Sequence, residues 1–106
     1  MTHLTTHVLD ATAGAPAAGV AVTLSHLDGA TIDSAATDAD GRLSLGPDAL
    51  ADGDYALTFA TGAYFRSRGI ASFHPVATIA FTVSGEAHLH VPLLLSPFAY
   101  STYRGS

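Results

Sequence analysis

The chain has 106 residues, a net charge of −5, four arginines, no lysine and no cysteine. That is one domain's length, 1–106, enough for a two-layer core, and it excludes disulfides and thiol chemistry. With no basic patch to displace counterions, a nucleic-acid partner is not expected, and no apolar run approaches the roughly 20 residues of a membrane span. Met1-Thr2-His3-Leu4 lacks a basic and an apolar signal region, so a cytoplasmic location without a secretion signal is the expectation. Only 12% of the residues are charged against 48% hydrophobic. For a small protein this predicts that other subunits cover part of the surface, because interface centres are apolar.

Thr6-His7-Val8-Leu9-Asp10 reads as a first strand, with Val8 on one face and His7 on the other. A lone histidine beside an apolar residue is ordinarily a satisfied structural group. Asp10 is placed to end the strand and shape a turn that runs through Pro16 to Gly19. Val20, Val22 and Leu24 then alternate with Ala21, Thr23 and Ser25, the period of a half-buried strand. Asp28-Gly29 marks the next turn.

Thr37-Asp38-Ala39-Asp40-Gly41-Arg42 contains a good hairpin turn at Asp40-Gly41. An arginine just past a turn is usually a solvated edge residue; the functional alternative is a bidentate fork on an oxygen-rich substrate. After Asp52-Gly53, Tyr55, Leu57 and Phe59 form another alternating strand. Residues 61–69 lose the period of two and set Tyr64 beside Phe65, which predicts one short helix capped by Thr61 and ended by Gly69. Ile79, Phe81 and Val83 resume the strand pattern before a Ser84-Gly85 turn.

In the segment 88–95, Leu89, Val91, Leu93 and Leu95 must face the core, so His88, His90 and Pro92 face away from it. Two histidines at i, i+2 could supply two metal ligands, but no cysteine or matched carboxylate completes a site and no metal is expected. Tyr103-Arg104-Gly105-Ser106 follows without a flexible spacer. Tails ordinarily fray; this one has the residues to be held in place. Seven to eight short strands at this spacing predict an all-β antiparallel sandwich with one short helix. Neither a phosphate-binding glycine loop nor a G-x-S-x-G elbow is present.

The residues 88–97, H-x-H-V-P-L-L-L-S-P, and the ending Y-S-T-Y-R-G-S resemble the 5-hydroxyisourate hydrolases, the enzymatic branch of the transthyretin-related proteins. His7 before Val8-Leu9-Asp10, Arg42 after Gly41 and His90 before Val91-Pro92 carry the same resemblance. Residues 1–60 alone also look like carboxypeptidase-regulatory and other prealbumin-like modules. Transthyretin keeps the L-L-S-P-x-x-Y-S-T segment but lacks the His/Arg/His set and the Y-R-G-S ending. Leu89, Phe98-Ala99-Tyr100 and His74 depart from the tyrosine, Y-G-Y and aromatic common in the family.

The resemblance implies a transthyretin (prealbumin)-like sandwich of two four-stranded sheets. Four copies would form a dimer of dimers with active sites in the channel between dimers. It implies hydrolysis of a small-molecule substrate, 5-hydroxyisourate, to 2-oxo-4-hydroxy-4-carboxy-5-ureidoimidazoline, without a cofactor. His7 and His90 would be the acid/base pair, Arg42 the substrate and oxyanion donor, Tyr103 a wall of the substrate site, and Ser106 an orienting group. Arg104 would bind substrate or fix the tail. His3, His26, His74 and His88 would be structural or solvated. The alternatives are a non-catalytic small-ligand carrier and a structural β-module.

Overall fold

The computed structural model describes residues 2–105. Its strands are β1 (Thr2–Asp10), β2 (Ala15–Pro16), β3 (Ala21–His26), β4 (Thr31–Ala36), β5 (Arg42–Leu50), β6 (Gly53–Phe59), β7 (Ala77–Val83), β8 (His88–Ser96) and β9 (Ala99–Thr102), and its one helix is α1 (Thr61–Ser67). One sheet runs β4-β3-β6-β7. In the other, β1 pairs β8 along one edge and β5 and then β2 along the opposite edge, and β9 extends the sheet beyond β8. The expected sandwich with one short helix is what forms.

Alternation explains the packing. Leu4 and Val8 from β1, Leu89, Val91, Leu93 and Leu95 from β8, and Val22, Leu24, Leu57 and Phe59 from the opposing sheet are all buried in one core. Each such side chain removes roughly 1.5–3 kcal/mol worth of apolar surface from water. One pairing differs from the antiparallel expectation: β8 runs parallel to β1, with His3↔His88, Thr5↔His90 and His7↔Pro92 in register. The chain reaches β8 from β7 of the other sheet, so no hairpin fixes its direction, and strand polarity leaves no trace in a period-two pattern.

Helix α1 corrects one expectation and meets another. Ala60, not Thr61, sits at the N-cap, and no side chain caps it. The buried Thr61 hydroxyl has no partner among the described residues. The end is as expected: Gly69 takes φ +70°, its N–H reaches the Arg66 carbonyl at 3.1 Å, and the Ile70 N–H reaches the Phe65 carbonyl at 3.0 Å, a Schellman closure.

The helix is anchored to β1 through Asp10, only 2% exposed. Its Oδ1 accepts the N–H groups of Thr12 and Ala13, both at 3.0 Å, and its Oδ2 accepts the Tyr64 hydroxyl at 2.9 Å. Three donors offset the cost of taking a carboxylate out of water. Burial, then the bond to Asp10, raises the Tyr64 phenol above its ordinary pKa. Tyr64→Phe, which strands one carboxylate oxygen, is expected to lower stability by about 1–3 kcal/mol, read as a lower urea midpoint at unchanged slope.

Candidate active site

The outward face of the first sheet is where the polar residues of three strands meet. Alternation along β1 sends His3, Thr5 and His7 outward, and along β8 it does the same for His88 and His90. On the other edge of β1, Arg42 stands directly opposite His7, and Ser44 opposite Thr5. The three sequence candidates His7, Arg42 and His90 therefore share one face.

Arg42 is delivered by a tightly specified turn. The Asp38 carboxylate accepts the N–H groups of Asp40 at 2.8 Å and Arg42 at 2.9 Å, while the Gly41 N–H reaches the Asp38 carbonyl at 3.0 Å. Gly41 takes φ +73°, and a Cβ there would sit 2.4 Å from the Val8 carbonyl oxygen. Only glycine satisfies both the dihedral and the close approach. The Val8 N–H bonds the Gly41 carbonyl at 2.8 Å, which locks the turn to β1.

The imidazoles are held through specific nitrogens. His7 Nε2 lies 2.9 Å from the Asp40 carbonyl oxygen. A carbonyl can only accept, so Nε2 carries the proton and Nδ1 is the bare nitrogen of the neutral ring. His90 is half-buried, and its Nδ1 lies 2.8 Å from Thr5 Oγ1, leaving Nε2 as the nitrogen open to a ligand. Burial, followed by the positive fields of His88, Arg42 and His7, holds the His90 pKa below its ordinary value. Both effects favour the neutral form of the half-buried ring.

The tail packs against this same ring. The Gly105 N–H reaches the His90 carbonyl at 2.9 Å, and a Cβ on Gly105 would lie 2.5 Å from His90 Cδ2. Glycine is required by proximity here, not by an unusual dihedral. Arg104 is 71% exposed and reaches Glu86 at 3.8 Å, a weak pair that favours the tail-fixing role over substrate binding.

A concavity of about 380 Å³, the size of a small-molecule site, is lined by Thr5, Thr6, Asp38, Arg42, His88 and His90 among others. His7 stands beside Arg42 but is not part of the lining. Tyr103 does not join it: 58% exposed, it lines a second groove of about 330 Å³ with Ile79, Phe81 and Leu89, meeting the first only at His90. Ser106 lies outside the described residues. Among those described, no three His, Asp or Glu side chains converge as metal ligands would. His88 and Thr5, neither expected at the site, belong to it. Their place follows once β1 and β8 are paired in parallel, a register that the chain's alternation does not reveal.

Gly105→Ala is expected to displace the His90 ring, shifting its NMR resonances while those of core residues such as Leu24 and Phe59 stay in place. Unmoved His90 resonances would show that the tail does not control the ring.

A profile of the HIUase/Transthyretin family matches residues 4–105. The chain is 50% identical to a 5-hydroxyisourate hydrolase of Caulobacter vibrioides, with both chains covered completely. Its fold superposes on the 5-hydroxyisourate hydrolase of Klebsiella pneumoniae with a TM-score of 0.93 at 42% identity, covering 100% of this chain and 94% of that one. It also superposes on sea bream transthyretin, solved in complex with thyroxine, with a TM-score of 0.88 at 35% identity over 96% of this chain and 93% of that one.

Proposed function

The chain belongs to the HIUase/Transthyretin family, and we propose that within it this chain is a hydrolase of 5-hydroxyisourate. The observation that carries the proposal is the convergence of His90, His7 and Arg42 on one open sheet face beside a concavity of small-molecule size. The hydrolase names of relatives covering the full chain support the same substrate.

The reaction opens the six-membered ring at an acyl C–N bond. Water adds to the carbonyl carbon, the carbonyl oxygen gains negative charge, and the ring nitrogen leaves with a proton as the ureidoimidazoline carboxylate forms. His90 is the base: its neutral ring presents Nε2 to water and takes the proton as the C–O bond forms. Arg42 binds the substrate's oxygens through its planar fork and stabilises the developing oxyanion. Its guanidinium has no ion-pair partner among the described residues, and Asp38 in the same concavity is occupied by the backbone of its own turn. His7, anchored through Nε2 on the Asp40 carbonyl, delivers a proton from Nδ1 to the leaving nitrogen when protonated. Tyr103 bounds the substrate region on the far side of His90. Ser106, one residue beyond the Gly105 that rests on that ring, orients the ring or the water. No step calls for a metal or an organic cofactor.

We further propose that the single domain works as a cytoplasmic homotetramer, a dimer of dimers whose central channel is walled by this sheet face. The low charge, the open sheet face and the exposed Phe73 and Phe98 support assembly. No helix among the described residues is long and apolar enough to cross a membrane.

A carrier of transthyretin type would hold a ligand on the same face without turnover. Two imidazoles and an unpaired guanidinium are chemistry that a carrier does not need. Micromolar protein is expected to accelerate the ultraviolet-monitored decay of freshly generated 5-hydroxyisourate well above the spontaneous rate. Arg42→Ala is expected to lose about 10²–10³ of that activity, as for removal of one oxyanion donor. No acceleration by the folded protein would overturn the hydrolase in favour of the carrier.

A further inference from the structure

The Thr5 hydroxyl lies 2.8 Å from His90 Nδ1 and 2.8 Å from His88 Nε2. It is the only group bridging two imidazoles in the molecule's described residues, and it stands opposite His90 in the β1–β8 register. A hydroxyl has one proton to give and lone pairs to receive. When it donates to one ring it accepts from the other, and in that arrangement the protonation of the two Thr5-facing nitrogens is complementary. The rings of His3, His88 and His90 form a stacked row, with centroids 5.8 Å and 6.3 Å apart, that runs from the half-buried His90 to the exposed His88.

We propose that Thr5 is a positioning residue which links His90 to His88 as a proton relay, carrying the proton taken from water away from the site. This deepens the hydrolase proposal and rests on His90 being its base. The steps balance without any external reactant. In the resting arrangement His90 Nδ1–H donates to Thr5 Oγ1, and the Thr5 O–H donates to a bare His88 Nε2. Water loses a proton to His90 Nε2, making His90 an imidazolium. Its Nδ1 proton then passes to Thr5 Oγ1 as the Thr5 proton passes to His88 Nε2. His90 ends neutral with its proton on Nε2, Thr5 is unchanged, and the positive charge sits on His88, whose Nδ1 proton solvent removes. The resting state returns as solvent takes the His90 Nε2 proton and reprotonates His88 Nδ1, and the His88 Nε2 proton passes back through Thr5 to His90 Nδ1.

The direction follows from the surroundings. His90 is half-buried beside His7 from β1 and the Arg42 guanidinium from β5, with Asp38 engaged by its turn and Arg104 drawn to Glu86. His88, stacked between His3 and His90, is exposed, so the same charge is better hydrated there.

Thr5→Val removes the hydroxyl at nearly constant shape. Its kcat is expected to fall about a hundredfold, the lower end of what positioned proton transfer contributes, with KM held within about twofold. Imidazole buffer should restore the Thr5→Val rate in proportion to its concentration, and Thr5→Ser should retain the native rate. Native kcat in Thr5→Val, or a loss that neither imidazole nor Thr5→Ser repairs, would overturn the relay. Nitrogen-15 NMR of labelled histidine tests the linkage without substrate: His90 Nδ1 protonated and His88 Nε2 bare in the native chain, with both preferences lost in Thr5→Val. Tautomers indifferent to Thr5 would refute the linkage whatever the rates. Complementary tautomers in a protein that does not turn over 5-hydroxyisourate would instead sink the hydrolase and, with it, the relay's catalytic purpose, while leaving the Thr5 linkage standing.

Discussion

Strand β1 is hydrogen-bonded along both edges, and its register decides where every reactive group goes. Its even positions, Leu4, Thr6, Val8 and Asp10, are buried, while its odd positions His3, Thr5 and His7 look outward. A slip of one residue would send His7 into the core and Val8 into water. Three devices prevent it: leucine and valine packing beneath, the parallel ladder to β8, and the Gly41 turn that closes on Val8. Asp10 adds a fourth by tying the strand's end to α1 through Tyr64. The same devices that stabilise the fold therefore set the spacing of the site.

What gathers on the outward face is unusual for an open surface. Four histidines and an arginine stand together, and Asp38, which lines the same concavity, uses its carboxylate to shape the turn. The Arg42 guanidinium, with no ion-pair partner among the described residues, and the imidazole N–H groups attract an electron-rich ligand. Backbone and hydroxyl anchors orient the rings: the Asp40 carbonyl sets the protonated nitrogen of His7, and the Thr5 hydroxyl holds His90 and His88. The result is a pre-oriented set of donors and acceptors, the condition under which electrostatic stabilisation costs no reorganisation during reaction.

Much of this was legible in the chain. The strands around Val22, Leu57 and Val91, the short helix ended by Gly69, and the outward parity of His7 and His90 all follow from alternation and turn chemistry. Three things were not. The parallel course of β8 depends on a crossing between sheets, so His88 and Thr5 could not be placed at the site. Thr61 has a capping residue's identity, but the helix begins one position earlier than that role requires, so its hydroxyl is buried instead. Which groove Tyr103 lines depends on the tail's turn at Gly105 onto His90, and that groove meets the first at His90. For β8 and for the tail the deciding contact joins residues far apart in the chain.

The central claim is that His90, half-buried and with its pKa held below the ordinary value chiefly by that burial, is the base. Its pKa is lowered from the ordinary 6.5, so the neutral, competent form gains population as pH rises through that lowered value. The most direct measurement is the pH dependence of kcat/KM for 5-hydroxyisourate set beside the NMR titration of the His90 ring in the free protein. The account predicts an acid limb whose midpoint coincides with that of His90, both below 6.5. A His90 midpoint at or above 6.5, or an acid limb that survives unchanged in His90→Gln, would contradict it.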